Sequence, residues 1–204
     1  MAFQPKQVYS LEEYLELEKR SEEKFEFWDG HVWLMSGASP THNQIVMNLS
    51  IDIGSKAREN GCFAYPSDMR IKVPSYPPYR YPDLSALCGT PLFEDMSGIG
   101  VLTNPQLIVE VLSESTEAFD RGDKFSYYKS INSFEEYILV AQHRPHVTRF
   151  VKHGDGFWIN FEFNGMSDVV ELSSVPCSLP LSSIYRGVEF PDPGTEEIPK
   201  SPSA

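Results

Sequence analysis

The run Gln106–Leu112, with the sequence QLIVEVL, limits the folds open to this chain more than any other segment. It is a nearly continuous row of Leu, Ile and Val, which is typical of a strand covered on both faces. The chain must therefore contain a buried strand, and one charge interrupts it.

That charge is Glu110. A carboxylate that is buried without a partner costs several kcal/mol, so we expect a partner and favour a functional role for this residue. A structural alternative is that the pleat points Glu110 to solvent or to an Arg, while Ile108 and Leu112 on the same strand face line the sheet edge.

Asp83 is a second acid that stands out, because it opens an apolar strand. Pro82 restricts Tyr81 to extended geometry, and Asp83 follows it at once. An acid in this position is also common in plain turns. Two carboxylates from separate strands, with few other ligand types nearby, suit Mg²⁺ or Mn²⁺ rather than zinc.

Lys124 is a candidate third member of the site, on a helix that we predict over residues 120–131, soon after the Glu110 strand. The alternative is that Lys124 is solvated or ion-paired, here with Asp120 four residues earlier.

Glu26 and His42 are two further candidates. Glu26 alternates with phenylalanines in a predicted strand, so it is either an outward acid or an extra site carboxylate. His42 shares a helical face with Ile45 and Leu49. It is either a satisfied histidine of the core or first helical turn, or a contact to a phosphate or a site carboxylate.

Helical and strand patterns interleave along the chain, which predicts an α/β or α+β fold. The main expected elements are a capped helix from Ser10 to about Lys19, a hairpin turning at Asp29-Gly30, a helix over 41–60 stopped by Gly61, a strand pair or one long bent strand over 62–73, an extended surface connection over 74–82, an irregular loop over 90–103, a strand over 136–141 and a β meander over 147–152, 157–163 and 169–172.

The net charge excludes a protein that grips nucleic acid by bulk charge. Seventeen basic residues against 29 acidic ones give −12 at neutral pH. Any site for a polyanion must therefore be local, and the alternative is a solvated charged surface. The candidates for a local DNA track are Lys56, Arg58, Arg70, Lys72 and Arg80.

The cysteines and the length of the apolar stretches bear on the cellular compartment of the protein. Cys62, Cys88 and Cys177 are far apart and odd in number, which indicates neither a disulfide framework nor a thiolate zinc site. No stretch approaches the roughly 20 apolar residues that span a bilayer. We expect a cytoplasmic protein with no membrane partner and a disordered tail over 191–204.

Several of these segments together resemble the Uma family of restriction endonuclease-like proteins, within the PD-(D/E)XK nuclease superfamily. The resemblance spans roughly residues 8 to 190. The segments that carry it are Phe25–Gly30, Thr41-His42, Tyr81-Pro82-Asp83, Asn104–Ser113, Ser115-Thr116, Asp120–Lys124 and Glu136-Tyr137.

The resemblance implies one domain over 1–190, with a central mixed β-sheet flanked by helices, a β-hairpin near the N-terminus and a C-terminal β meander. It implies that Asp83 and Glu110 are the motif acids and favours Glu26 as a site residue. The superfamily's simplest pattern has Lys two residues after the second acid, where this chain has Leu112, so the resemblance suggests that Lys124 supplies the amine.

The implied activity is Mg²⁺- or Mn²⁺-dependent hydrolysis of DNA, with Asp83, Glu110 and the Val111 carbonyl as metal ligands. Two alternatives remain open. One is an inactive protein of the same fold that binds nucleic acid or protein. The other is an interaction protein that uses exposed aromatics such as Phe157 and Trp158. The odd cysteine count and a sheet with free edges are compatible with a homodimer.

Overall fold

The computed structural model describes residues 8–35, 37–76, 78–96 and 98–190. Its helical elements are α1 (Leu11–Arg20), α2 (Pro40–Glu59), α3 (Glu117–Phe119), a π-helical turn (Asp120–Lys124), α4 (Phe125–Tyr128) and α5 (Leu181–Ile184). The strands are β1 (Phe25–Trp28), β2 (His31–Leu34), β3 (Cys62–Pro66), β4 (Arg70–Lys72), β5 (Tyr79–Arg80), β6 (Leu84–Cys88), β7 (Phe93–Met96), β8 (Ile99–Leu102), β9 (Leu107–Leu112), β10 (Glu136–Ala141), β11 (Val147–Lys152), β12 (Trp158–Phe163), β13 (Val169–Leu172) and β14 (Cys177–Pro180).

The centre of the fold is a six-stranded mixed sheet in the order β12-β11-β10-β9-β6-β3. Strands β9 and β10 are parallel, and the other neighbours are antiparallel. A four-stranded sheet (β5-β4-β8-β7) and the pairs β1-β2 and β13-β14 lie outside it. The mixed central sheet and the early hairpin confirm the predicted fold class.

Helices cover both faces of the central sheet. On one face, Ile45 and Ile53 of α2 pack with Val109 of β9. On the other face, Tyr128 of α4 packs with Ile108. Alternate residues of β9 point to opposite faces of the sheet, and because both faces are covered, every residue of this strand is buried. Burial of each large apolar side chain stabilises the fold by about 1.5–3 kcal/mol.

The elements with strong local signals begin and end where the sequence predicts. In the capping box of α1, Ser10 Oγ accepts the Glu13 N–H at 3.1 Å, and Glu13 accepts the Ser10 N–H at 2.9 Å. The β1-β2 hairpin turns at Asp29 and Gly30, both with positive φ. Gly61, also at positive φ, follows the end of α2.

Two segments that we predicted as connections form strands instead. Residues 74–82 include β5, and Tyr79, Arg80 and Tyr81 are all buried, so the prediction of a surface connection was wrong. The prolines restrict only the main chain, while the tyrosine rings pack into a core with Tyr14. Residues 90–103 form the β7-β8 hairpin rather than an irregular loop.

Two strand pairings also differ from the predictions. Strands β3 and β4 are consecutive, yet they belong to different sheets, so they form neither a pair nor one bent strand. Of the predicted meander over 147–152, 157–163 and 169–172, β11 and β12 pair as predicted, whereas β13 pairs with β14 outside the central sheet. The local sequence pattern does not indicate which strands β4 and β13 pair with.

The cysteine prediction was wrong in one respect. Cys62 and Cys88 are joined by a disulfide between β3 and β6, where they are paired in register. They lie 26 residues apart, and the sequence does not show that these strands are neighbours. Cys177 is free, and burial raises the pKa of its thiol to about 11. The disulfide therefore removes the support that the cysteine pattern gave to the predicted cytoplasmic location.

Of the two aromatic residues that we predicted to be exposed, only one is. Phe157 is 67% exposed, while Trp158 packs against Phe125 and Phe134. All helices in the described part of the chain are too short or too polar to cross a membrane. The predicted tail over 191–204 lies outside the described residues.

We expect Gly30→Ala to destabilise the protein by about 1–3 kcal/mol, because a side chain at positive φ is strained. A Cβ atom there would also lie 2.7 Å from Val8 Cγ1. Urea unfolding followed by circular dichroism measures the change. The control is Gly54→Ala in α2, where a Cβ atom meets nothing within 4 Å and should stabilise the helix by about 0.5–1 kcal/mol. Equal effects of the two substitutions would contradict this account.

Candidate functional site

The neighbouring strands β6 and β9 separate at Asp83. Their pairing ends with Leu84 opposite Val109. Just before Leu84, Asp83 Oδ2 accepts a hydrogen bond from the Val111 N–H at 2.7 Å. The carboxylate thus takes the place of a main-chain partner, and it holds Asp83 beside the residue that follows Glu110.

Glu110 lies on β9 and is 3% exposed. Tyr128 donates its hydroxyl to Glu110 Oε1 at 2.7 Å, and Lys124 Nζ lies 2.8 Å from the same oxygen. Burial raises the pKa of Glu110 to about 8, against the lowering effect of the Lys124 ammonium. The expected partner is therefore present, and the alternative of a solvent-facing or Arg-paired Glu110 was wrong.

Lys124 reaches Glu110 from the π-helical turn. This turn buries both Asp120 and Lys124, and Lys124 Nζ lies 3.2 Å from Asp120 Oδ1. Burial disfavours the charged amine, but the charges of Glu110 and Asp120 outweigh it and raise the pKa of Lys124 well above its ordinary value. The ion pair between Lys124 and Asp120 is present, as one of the two alternatives predicted. Lys124 is nevertheless buried, and it also contacts Glu110. Single π turns inside helices are frequent at functional sites.

His42 contacts the site from the opposite face of the sheet. It lies in the first turn of α2, where Ser39 Oγ accepts its N–H at 3.0 Å. Its Nε2 is 3.3 Å from Asp83 Oδ2, and its buried Nδ1 has no hydrogen-bond partner among the described residues. Burial works against protonation, but the hydrogen bond with Asp83 and the Asp83 charge prevail and raise the pKa of His42. Of the two alternatives, the structure shows contact with a site carboxylate.

Glu26 faces this cluster from the β1-β2 hairpin. Its Oε1 is buried and has no hydrogen-bond partner in the described part of the chain. Burial and the carboxylates of Glu110 and Asp120 have the largest effects on the pKa of Lys124, and the charge of Glu26 raises this pKa further. Glu26 therefore lies within electrostatic reach of the ammonium and is not an outward acid.

The oxygen donors of this cluster fit a hard divalent cation. Asp83 and Glu110 offer carboxylates, and the Val111 carbonyl points to the same side of the strand as the N–H that bonds Asp83. Among the described residues, no three His, Cys, Asp or Glu side chains are arranged to hold a metal ion. The main-chain carbonyl is therefore the third protein ligand available, and the orphan oxygen of Glu26 is a further acceptor nearby.

Three residues of the cluster escaped the sequence analysis as functional candidates. The sequence predicts Asp120 only as an ion-pair partner of Lys124, and we predicted no functional role for Tyr128 or Tyr137. Tyr137 donates its hydroxyl to the Asp120 carbonyl at 3.1 Å and so anchors the π-helical turn. A signal existed for Tyr128, because it lies four residues after Lys124 and so shares its helical face.

The basic residues that we predicted as a DNA track do not form one free patch. Three of them are engaged by carboxylates: Lys56 by Glu59 at 2.7 Å, Arg70 by Glu18 at 3.1 Å and Lys72 by Glu94 at 2.6 Å. Arg80 is 1% exposed. Most of these five basic residues therefore fit the alternative prediction of a solvated charged surface.

Comparison with known proteins gives a family match over most of the chain. The family model described as "Uma2: Putative restriction endonuclease" matches residues 11–182. Two proteins of Synechocystis sp., both described only as uncharacterized, are each 36% identical to this chain. One alignment covers 89% of this chain and 93% of the relative, and the other covers 81% and 93%.

A solved structure has a similar fold. It is the crystal structure of a protein from Anabaena variabilis described as a putative nuclease belonging to DUF820. It superposes with a TM-score of 0.70 over 88% of this chain and 98% of that one. At 16% sequence identity, this likeness concerns the fold alone.

We expect Lys124→Met to destabilise the folded protein by about 3–5 kcal/mol at pH 8.5, because it leaves Glu110 and Asp120 buried together without a cation. The deficit should be smaller at pH 5.5. Glu110 already has a pKa of about 8 in the folded protein, and loss of the ammonium raises it further. Between about pH 5 and 8 both folded proteins hold this proton, whereas above about pH 8 the folded wild type releases it and the folded variant keeps it, so the variant's stability then falls further below that of the wild type as pH rises.

Urea unfolding at both pH values measures this effect. The control is Lys56→Met, which removes a surface ion pair with Glu59 and should leave the unfolding midpoint unchanged. A pH-independent loss in the Lys124 variant would contradict the electrostatic explanation.

Proposed function

Because the chain belongs to the Uma2 family, whose description is "Putative restriction endonuclease", we propose that it is a metal-dependent endonuclease that hydrolyses phosphodiester bonds in DNA. The observation that carries this proposal is the meeting of Asp83, Glu110 and Lys124 where β6 and β9 separate. Two carboxylates and an ammonium are the groups that metal-assisted hydrolysis of a phosphodiester uses.

In this proposal Asp83, Glu110 and the Val111 carbonyl hold Mg²⁺ or Mn²⁺. The ion supplies a water of lowered pKa and neutralises charge on the scissile phosphate. Both hydrogen-bonding partners of Glu110, Tyr128 and Lys124, contact Oε1, so among the described residues Oε2 has no such partner and is available to a ligand.

Lys124 is the catalytic cation of this proposal. With Asp120 as its second anchor, it keeps its ammonium beside Glu110. There it orients the attacking water or offsets the negative charge that develops on the phosphate. Because the π-helical turn holds Lys124, the chain can have Leu112 at the position where the superfamily's simplest pattern has Lys.

Two other residues position the acids, and one adds an acceptor. His42 holds Asp83 by the contact from Nε2, and Tyr128 holds Glu110 by its hydroxyl. Glu26 Oε1, buried without a partner, is available to accept a hydrogen bond from a site water. Since the net charge is −12, we propose that DNA binding depends on the divalent ion and on local contacts rather than on bulk charge.

The test combines Mn²⁺ calorimetry with cleavage of supercoiled plasmid DNA in Mg²⁺ or Mn²⁺. We expect the wild type to bind Mn²⁺ saturably and to nick the plasmid. Glu110→Gln should lose Mn²⁺ binding, and its cleavage rate should fall about 100-fold or more, because the neutral amide is a weaker ligand. Glu94→Gln, at a surface carboxylate that pairs with Lys72, is the matched control and should behave like the wild type.

Unchanged Mn²⁺ binding or cleavage in Glu110→Gln would refute this site. A second candidate function is an inactive nuclease fold that binds nucleic acid or protein. The observation that favours it is that Glu110, Lys124 and Asp120 already satisfy one another in a buried network. A wild-type protein that neither binds Mn²⁺ nor cleaves DNA would establish this second candidate over the first.

A further inference from the structure

Four aromatic side chains form a cluster next to the candidate site: Trp28, Tyr76, Phe119 and Tyr127. The rings of Tyr76 and Tyr127 are stacked, with centroids 4.4 Å apart and an interplanar angle of 17°. Trp28 contacts all three of the others, at centroid distances of 4.6 Å to Phe119, 5.3 Å to Tyr127 and 5.6 Å to Tyr76. We call these residues the aromatic cluster.

The aromatic cluster lies at the edge of the buried core, against which Tyr76 and Tyr127 pack. All four side chains are half-buried, so the cluster faces solvent in part. The buried core members on this side of the sheet include other aromatic residues, such as Phe125, Phe134 and Tyr137. Large half-exposed rings that contact one another are typical of binding surfaces for planar ligands.

Arg80 gives the aromatic cluster an unusual polar partner. Its guanidinium lies 5.4 Å from the ring centroid of Tyr76 and 6.0 Å from that of Tyr127. The side chain is 1% exposed, and Nη1 donates to the Tyr79 carbonyl at 2.8 Å. Among the residues that the structure describes, the buried Nε and Nη2 have no hydrogen-bond partner. Buried N–H groups on a cation are costly when unpaired, which indicates an acceptor supplied from outside the chain.

The chain connects the aromatic cluster directly to the candidate site. Trp28 lies two residues after Glu26 on β1, and alternate residues of a strand share a face. Phe119 is the neighbour of Asp120, and Tyr127 is the neighbour of Tyr128. Consecutive Cα atoms are about 3.8 Å apart, so the main chain of the aromatic cluster adjoins that of the candidate site.

We propose that the aromatic cluster stacks an unpaired nucleobase of the nucleic acid whose phosphodiester occupies the candidate site, and that Arg80 donates hydrogen bonds to that base. This inference rests on the proposed nuclease function. The rings already contact one another, so the base stacks on their half-exposed outer faces, and its carbonyl and ring-nitrogen acceptors suit the N–H groups of Arg80 that have no partner among the described residues.

The surrounding charges favour a base over a second phosphate. Asp29 and Asp123 are exposed acids at the edge of the aromatic cluster. Burial raises the pKa values of Tyr76 and Tyr127, and the charges of Asp29 and Asp123 raise them further, so both acids lie close to these two rings. Two carboxylates repel an incoming phosphate but not a neutral base. Because bases in a duplex are stacked on one another, only an unpaired base offers its faces to these rings.

The test measures binding separately from cleavage. Fluorescence anisotropy compares a labelled single-stranded DNA 20-mer with its duplex, with Ca²⁺ in place of Mg²⁺ because Ca²⁺ also prefers oxygen ligands. We expect the wild type to bind the single strand about tenfold or more tightly than the duplex. Trp28→Leu and Tyr127→Leu should each weaken single-strand binding by about tenfold and leave duplex binding unchanged. Circular dichroism verifies that each variant is folded.

Trp33→Leu is the matched control. Trp33 lies on β2 of the same hairpin, is 50% exposed and is not part of the aromatic cluster, so its loss should not change either affinity. No preference for the single strand in the wild type, or equal losses for Trp28→Leu and Trp33→Leu, would overturn the inference. Single-strand preference in a wild type that cleaves no DNA would uphold the aromatic cluster as a base-binding site and would reject only the nuclease function.

Discussion

The buried contact between Glu110 and Lys124 joins the central strand β9 to the helical segment on one face of the sheet. Neither charge is tolerable in that interior without the other, since an uncompensated buried charge costs several kcal/mol. The pair therefore fixes how the π-helical turn sits on the sheet, and with it the positions of Asp120 and Tyr128. The same contact holds a carboxylate and an amine together before any ligand arrives, which preorganises the site.

The second constraint is the separation of β6 from β9. Because the Asp83 side chain, and not a main-chain group, accepts the Val111 N–H, the sheet opens there without leaving that donor unpaired. The opening lets His42 reach Asp83 from the face covered by α2, while Lys124 reaches Glu110 from the other face. The candidate site is thus built into a gap of the sheet and draws on both helical layers.

The β1-β2 hairpin links this site to the aromatic cluster. Glu26 and Trp28 lie on one face of β1, so one short strand supplies a carboxylate to the site and a ring to the cluster. The hairpin itself depends on positive φ angles at Asp29 and Gly30. Substrate cleavage and recognition of an unpaired base, as we propose them, would therefore share one local element. An acidic protein can bind a polyanion by such local contacts, because they do not require a favourable net charge.

Local sequence patterns were enough to predict several features of this protein. These were the capped first helix, the Asp29-Gly30 turn, the buried strand around Glu110 and the need for a partner at Glu110, since propensity and hydrophobic periodicity act over a few residues. The pairing of residues that are distant in the chain depends instead on the three-dimensional packing. The disulfide of Cys62 with Cys88, the reach of Lys124 to Glu110 and the burial of residues 79–81 all follow from strand order, register and helix placement. Those are set by the packing of segments far apart in the chain, and a single sequence does not display that packing.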